Sequence, residues 1–301
     1  MGGLLAGCQA PTSAPATSTT STTSTTVVPS TTVVPSTTPS SAVVASTTVA
    51  VPANELAGAY RAILDTALSG EERGRAGRRM QRLVRQLSRQ PDEGESVLSA
   101  LPPDLQPLAR NDVGIALAPR LTTLRPSAIV PVWTIRAPLP SATLLSYYRE
   151  AAESSGVPWG VLAGINLQET RLGRVVGPSS ANAQGPMQFL PSTWAGCCEG
   201  DILNDRDAIR GAAKYLVQRG ARADLTKAIN GYNPNATYVD IISRFNDNLQ
   251  RAPELFAGYY GWPVVLNSIV GRLLLPEGFT TSEAIPAEIY ALNFPDRVLS
   301  D

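Results

Sequence analysis

The sequence predicts an all-α protein behind a disordered tether, and three observations lead to that fold class. From about residue 54 onward, apolar residues recur at the i, i+3, i+4 and i+7 spacing of amphipathic helices. No segment shows the clear polar–apolar alternation of a half-buried strand. Residues 9–53 are mostly Thr, Ser, Val, Pro and Ala, with too little bulky apolar surface to offset the entropy of ordering. We therefore expect a Thr/Ser/Pro-rich linker followed by packed helices.

Residues 1–8 end in Leu5-Ala6-Gly7-Cys8, which resembles the lipobox of bacterial lipoproteins. Lipidation of Cys8 would attach the chain to a membrane without spanning it. The segment is short for a secretory signal and carries no basic residue, a conflict that a start codon assigned too late would remove. We expect an extracytoplasmic protein of the cell envelope, anchored to the outer face of the cell membrane through Cys8 or secreted into the wall.

The composition excludes several kinds of catalytic site. The 301-residue chain has no histidine, so it can build neither a Ser-His-Asp or Cys-His system nor a His-containing zinc site. Three cysteines cannot supply a four-thiolate zinc site, and we expect no metal and no organic cofactor. The 25 basic and 25 acidic side chains balance, which gives no overall attraction to nucleic acid. Adjacent Cys197 and Cys198 are poorly placed to bridge each other, so free thiols or partners outside the chain stay open.

Residues 54–125 predict a helical amino-terminal region. The apolar positions of its first helix share one face: Leu56, Tyr60, Ile63, Leu64 and Leu68. A basic helix follows, in which Arg73, Arg75, Arg78, Arg79, Arg82, Arg85 and Arg89 surround Met80, Leu83, Val84 and Leu87. We interpret it as a solvated face over a packed stripe, although the same arginines could bind an anionic polymer or lipid headgroups. Prolines at 102, 103 and 107 interrupt the helical pattern.

Residues 126–301 predict the main helical domain, with a motif core at 141–250 and a carboxy-terminal extension. Residues 126–140 form an extended connector in this prediction, with Trp133 and Ile135 packed on the domain. Capping and stop residues mark several helix ends: Ser141, Asp205 and Asp224 at starts, Gly156 and Gly220 at stops. The apolar run Val264–Leu275 is too short to be a transmembrane helix.

Glu169 is the strongest candidate for chemistry in this domain. Leu162, Ile165 and Glu169 fall at i, i+3 and i+7 on the helix that Pro158 opens, so the carboxyl should point into the core. Burial disfavours the charged form of a carboxyl and raises its pKa, as a general acid needs at neutral pH. The structural alternative is a glutamate at a helix end, either exposed or paired with Arg171 or Arg174.

Three motifs follow one another from Glu169 onward. Residues 169–173 have the form Glu-Thr-x-x-Gly, residues 179–193 form a turn-rich run containing Gly185-Pro186-Met187-Gln188-Phe189, and Tyr232-Asn233 comes last. Together they resemble the lytic transglycosylase family, and more narrowly the soluble-lytic-transglycosylase type domain of actinobacterial cell-wall proteins. The resemblance covers about residues 138–249 and, less closely, the run 258–262. It implies a lysozyme-like helical fold for the catalytic domain.

The resemblance also implies roles for individual residues. Glu169 matches the single catalytic acid, with Thr170 where Ser is more usual. Tyr232 and Asn233 match a Tyr-Asn pair beside the glutamate, in which the tyrosine hydroxyl can orient the carboxyl. The other implied substrate-binding residues are Ser179 or Ser180 beside the scissile bond and the groove-lining Met187, Gln188 and Leu190. Each of these could instead only fill the core or satisfy backbone groups.

The sequence departs from the family pattern in two places. Asn182 stands where glycine is common, and asparagine is one of the few other residues that tolerate a positive φ. The interval from Glu169 to Gly185 is slightly longer than in the best-known members, which leaves the choice between Ser179 and Ser180 open. Neither departure affects the acid itself.

The implied reaction splits the bond between N-acetylmuramic acid and N-acetylglucosamine in peptidoglycan and leaves a 1,6-anhydro end. One carboxylate acts first as acid and then as base, whereas most glycosidases use two. A hydrolytic muramidase like goose-type lysozyme is the first alternative, with Asp201, Asp205 or Asp207 as the nearest second carboxylate. A non-catalytic wall-binding module is another. The expected partner is the peptidoglycan strand, bound by a monomer.

Overall fold

The computed structural model describes residues 51–118 and 126–299, which fall within one packed unit. This part of the chain is largely helical, so the helical character of the predicted fold class is confirmed. The Cys8 lipobox and nearly all of the 9–53 tether lie outside the described residues.

Four helices form the amino-terminal region: α1 (Ala53–Leu64), α2 (Gly70–Leu87), α3 (Pro91–Ala100) and α4 (Gln106–Leu117). Most of the predicted apolar positions are buried: Leu56, Tyr60 and Ile63 in α1, and Met80, Leu83, Val84 and Leu87 in α2. Leu64 and Leu68 are half-buried, and Leu68 lies beyond the end of α1. Ser69 caps α2 through a capping box with Glu72. The prolines act as predicted: α3 ends before Pro102, and Pro107 lies in the first turn of α4, where its missing N–H costs no hydrogen bond.

A second group of helices surrounds a buried one. α5 (Ser141–Ser155) leads into α6 (Trp159–Thr170), in which residues 160–167 are all buried. Around α6 pack α5, α8 (Asp205–Gln218) and α10 (Ala236–Arg251). The shorter helices are α7 (Pro191–Cys197), α9 (Leu225–Tyr232), α11 (Leu255–Tyr260) and α12 (Ala287–Asn293). Because α6 is covered on all sides, its carboxyl end lies in the interior.

The prediction that the domain contains no strands is wrong. Antiparallel pairs join β1 (Ile129–Val130) to β6 (Ile285–Pro286) and β2 (Thr134–Ile135) to β3 (Val175–Val176). A larger sheet joins β4 (Val264–Ser268) to β5 (Gly271–Leu275) and β5 to β7 (Val298–Leu299), which follows a 3-10 turn at Pro295–Arg297. These strands and α12 enclose a separate apolar cluster that includes Trp133 and Ile135, so the predicted packing of these two connector residues is confirmed.

Helix stops were predicted better than helix caps. Gly156 (φ 79°) and Gly220 (φ 92°) follow α5 and α8 in the left-handed conformation that glycine permits. Asp224 caps α9 as expected, because its carboxylate accepts a 2.9 Å hydrogen bond from the N–H of Lys227. Ser141 is the first residue of α5 and makes no side-chain cap.

Asp205 does not cap α8, contrary to the prediction. The cap is Asn204, whose side-chain oxygen accepts from the N–H groups of Arg206 and Asp207 at 3.0 and 3.2 Å. Asp205 is instead buried and paired with Arg136 at 2.7 Å. Asparagine is as good a helix cap as aspartate, so the sequence alone does not rank these two neighbours.

The basic helix α2 is built into the fold by backbone contact with α11. A Cβ on Gly77 would lie 2.1 Å from the carbonyl oxygen of Gly258, and one on Gly261 would lie 2.4 Å from that of Gly74. Arg73 donates to the backbone carbonyls of Ile63 and Glu254 at 2.7 and 2.8 Å. These bonds support the interpretation of α2 as a packed helix with a solvated face.

Cys197 and Cys198 form a disulfide with each other, although adjacency led us to expect free thiols or outside partners. α7 ends at Cys197, and Cys198 has extended backbone (φ −127°, ψ 166°). The relative orientation of the two side chains therefore differs from that of two consecutive residues within a helix. Within 51–118 and 126–299, no helix is both long and apolar enough to cross a membrane. In the same residues, no group of three or more cysteine, aspartate or glutamate side chains is arranged to hold a metal ion.

Candidate active site

Glu169 lies next to the last residue of α6 and is fully buried, with 0% of its surface exposed. Leu162 and Ile165 on the same helical face are buried equally, so the predicted inward orientation is confirmed. On another side of α6, Gly164 lets α10 approach closely, because a Cβ there would lie 3.1 Å from the Cβ of Phe245. The first turn of α10 is thereby brought beside the carboxyl end of α6.

Tyr238, in that first turn, contacts the Glu169 carboxyl. Its hydroxyl donates a 2.8 Å hydrogen bond to Oε1. The second oxygen, Oε2, is buried and has no hydrogen-bond partner among the described residues. Burial raises the pKa of Glu169 well above its usual range, and the Tyr238 hydrogen bond offsets part of that rise. Burial therefore favours the protonated form of the carboxyl, with one oxygen held by Tyr238 and the other without a hydrogen-bond partner among the described residues.

The loop that follows β3 is tied to α6 beside Glu169. The Thr170 hydroxyl and the Asn166 amide both donate to the backbone carbonyl of Pro186, at 2.6 and 2.8 Å. Gly185 has φ 72°, and a Cβ there would lie 1.9 Å from the carbonyl oxygen of Ile202, so only glycine fits. The Gly-Pro-Met-Gln run is thus held against the end of α6 by the residue that follows the glutamate.

The remaining predicted loop residues are mostly turned inward. Ser179 is buried, and its hydroxyl oxygen accepts from the N–H groups of Ala181 and Ala183 at 3.2 and 3.0 Å, whereas Ser180 is exposed. Met187 and Gln188 are 0% exposed and Leu190 is half-buried. These side chains pack into the protein rather than form the wall of an open groove. Asn182 has φ 61°, which confirms the positive φ expected where the family has glycine.

The tyrosine that orients the carboxyl is Tyr238 and not Tyr232. Tyr232 is buried at the end of α9, and its hydroxyl donates a 2.6 Å hydrogen bond to the Met187 carbonyl. Asn233 follows it, also buried. Tyr232 therefore holds the loop, and Tyr238 meets the acid. The sequence does contain a signal for Tyr238. It precedes Ile242, Phe245 and Leu249 by four, seven and eleven residues, a helical spacing that places it on the buried face of α10.

A comparison of the chain with known protein families, with curated proteins and with solved structures gave no match. The support for any function of this chain therefore comes from the geometry around Glu169 and from the order of the three motifs.

No second carboxylate interacts with Glu169 among the described residues. The acids suggested for that role have other partners. Asp205 is paired with Arg136, and Asp207 accepts a 3.0 Å hydrogen bond from the N–H of Asp201. Asp201 is exposed and accepts from the N–H of Leu203 at 2.8 Å. The described residues thus offer one buried carboxyl with a raised pKa and no second acid beside it to activate water or to act as a nucleophile.

Proposed function

We propose that this chain is a peptidoglycan lytic transglycosylase in which Glu169 serves as both acid and base, on a lysozyme-like helical domain. The observation that carries the proposal is the buried carboxyl, held by Tyr238 at one oxygen and unpartnered at the other. A buried carboxyl that stays protonated at neutral pH can donate to a glycosidic oxygen, which an ordinary solvated glutamate cannot do. The three motifs around it add the resemblance to the family.

In the proposed reaction Glu169 returns to its starting state without water. Its proton passes to the glycosidic oxygen as the bond from C1 of the muramic sugar to that oxygen breaks, and the N-acetylglucosamine end leaves as an alcohol. The carboxylate then takes the proton of the C6 hydroxyl, whose oxygen attacks the oxocarbenium-like C1 and closes the 1,6-anhydro ring. Because Glu169 is fully covered, the side chains packed over it must move before a glycan can reach it.

The single carboxylate favours this route over hydrolysis. Most hydrolytic glycosidases use a second carboxylate, as nucleophile or to activate water. Asp201, Asp205 and Asp207 are each engaged elsewhere. The proposal places the enzyme in the cell envelope, lipid-anchored through Cys8 or secreted, with the glycan strand as its partner and a monomer as the active form.

The test is digestion of purified peptidoglycan followed by mass spectrometry of the products. We expect anhydro-muramic ends with the wild-type chain, and at least about a hundredfold slower release with Glu169→Gln, because the amide cannot donate the proton. Glu153→Gln, the same substitution at an exposed position of α5, should digest like the wild type.

Three results would each contradict the proposal. Reducing muramic ends from the wild-type chain would indicate a muramidase. Equal digestion by Glu169→Gln would remove the glutamate from the mechanism. Intact peptidoglycan that both proteins bind would indicate a wall-binding module.

A further inference from the structure

Three arginines converge near the carboxyl end of α6, outside the machinery described above. Arg171 follows α6 directly, Arg174 precedes β3, and Arg272 lies in β5. Arg174 and Arg272 are buried, each 8% exposed, and Arg171 is half-buried. The charges of Arg174 and Arg272 both act on Arg171, so the three groups lie near one another. Like charges repel at short range, so a further anion near these guanidinium groups would be bound favourably.

The guanidinium of Arg171 has no hydrogen-bond partner among the described residues. Its guanidinium lies over the ring of Trp262, with Cζ 5.7 Å from the ring centroid, and its Nε is buried without an acceptor. Burial first, and then the charges of Arg174 and Arg272, lower the pKa of Arg171 to about 10. Arg171 is therefore still positively charged at neutral pH, and it forms no ion pair with an acid among the described residues.

Arg174 is only partly satisfied. Its side chain is 10% exposed, and it bonds to Glu277 and, at 3.0 Å, to the carbonyl of Tyr260. Its Nε is nevertheless buried without an acceptor, as is that of Arg171. Glu277 is itself 52% exposed and therefore a weak partner in solvent. Two neighbouring guanidinium groups thus each carry an unused buried donor.

We propose that Arg171 and Arg174, with the charge of Arg272 beside them, bind an oxyanion: a carboxylate or a phosphate group of a small ligand. A guanidinium presents a planar fork of donors that matches the oxygens of both groups. The rings of Trp262 and Tyr260 lie against the guanidinium groups of Arg171 and Arg174 and help to hold them in place. The site is distinct from the Glu169 carboxyl and does not require that the chain cleave a glycan.

The experiment is isothermal titration of the purified chain with two probes, inorganic phosphate and N-acetyl-dialanine. The carboxamide of N-acetyl-dialanine is the matched uncharged ligand. We expect saturable binding of at least one oxyanion, none of the carboxamide, and weaker binding as salt rises. Binding of phosphate alone would assign the site to phosphate, and binding of the peptide alone to carboxylate, and either result supports the proposal.

Three variants decide whether the arginines hold the anion. Arg171→Gln and Arg174→Gln should each raise the Kd about tenfold or more, the usual loss for one hydrogen bond to a charged group. Arg75→Gln, at an exposed position of α2, should leave it unchanged. If loss of the Tyr260 contact unfolds Arg174→Gln, Arg171→Gln decides alone, since Arg171 makes no described hydrogen bond to lose.

The proposal is overturned if neither oxyanion shows saturable binding, or if all variants bind with the wild-type affinity. Glu169→Gln should bind the oxyanion like the wild type. Oxyanion binding could therefore be observed even if the chain does not cleave glycans. Glycan cleavage could likewise be observed if no oxyanion binds.

Discussion

Two opposing effects act on the charge state of Glu169. Burial removes the solvation of the carboxylate and raises its pKa, whereas the hydroxyl of Tyr238 donates to the carboxylate and lowers it. Burial is the larger effect, so the net shift of the pKa is upward and favours the protonated form. The hydrogen bond limits the rise in the pKa of Glu169, which suits the acid and base roles proposed for it.

Tyr238→Phe should shift the pH profile of peptidoglycan cleavage. Removal of the hydroxyl leaves burial unopposed, so the pKa of Glu169 rises further and the alkaline limb of kcat/KM moves to higher pH. The rate itself should fall roughly tenfold, because the carboxyl loses the bond that orients it. The measurement is kcat/KM for soluble glycan fragments across the alkaline limb.

Tyr232→Phe is the matched control for this prediction. Its hydroxyl donates to the Met187 carbonyl and not to the acid, so its loss weakens the loop without changing the pKa of Glu169. An alkaline limb that moves equally in both variants, or in neither, would contradict the role assigned to Tyr238.

At the scale of single residues, the sequence predicts the acid but not its partner. Glu169 is found because local helical spacing places it on a buried face, and the motif order marks it as special. Tyr238 contributes from another helix, and which of two nearby tyrosines reaches the carboxyl depends on how α10 crosses α6. That crossing is set by contacts such as Gly164 against Phe245, which are long-range in sequence.

At the scale of elements, the glycines of α2 and α11 make a sharp prediction. Gly77→Ala places a methyl group 2.1 Å from the Gly258 carbonyl oxygen, a backbone atom that cannot turn aside. The helices must separate, and we expect a loss of about 3 kcal/mol in the free energy of unfolding. Urea denaturation followed by circular dichroism measures it.

Gly58→Ala is the matched control, because the same methyl group on α1 meets nothing within 4 Å. Alanine favours the helix over glycine, so this variant should be more stable by about 0.5–1 kcal/mol. The same glycine-to-alanine change is thus expected to lower the free energy of unfolding at Gly77 and to raise it at Gly58. A loss at Gly58 equal to that at Gly77 would mean that backbone flexibility, and not the close contact of α2 and α11, explains both.

The hairpin of β4 and β5 shows why some elements could not be predicted. Its two-residue turn is Ile269-Val270, without the Asn-Gly or Asp-Gly signature of such turns. In β5 the neighbouring residues Arg272 and Leu273 are both buried, so the strand lacks the alternation of buried and exposed residues. A short apolar run of this kind is typical of a buried helix as much as of a strand. The two-residue strands pair with distant segments, which no local pattern reveals. Helices with their own caps and stops were predicted far better.

At the scale of the whole molecule, Asp112 joins the amino-terminal helices to the motif core. It lies in α4 with 1% of its surface exposed. It accepts hydrogen bonds from the hydroxyls of Tyr60 in α1 at 2.6 Å and Tyr259 in α11 at 2.8 Å. The amide of Asn248 in α10 donates to the hydroxyl oxygen of Tyr259 at 2.9 Å. Four helices therefore meet at one buried acid and its partners, a junction that the sequence does not reveal because its members are far apart along the chain.

This junction should make stability fall as pH rises. Burial raises the pKa of Asp112 from 3.8 to about 7, more than its hydrogen bonds lower it. Between these values the folded chain holds a proton that the unfolded chain releases, so the stabilisation is full below about pH 4 and is lost as pH rises through 7. The loss is on the order of 4 kcal/mol. Asp112→Asn removes this titration, and urea unfolding across this range should show a flatter profile.

The control is Asp104→Asn, which removes an exposed acid whose pKa Arg61 lowers. This variant should keep the fall in stability between about pH 4 and 7. A wild-type slope in Asp112→Asn would refute the assignment to Asp112.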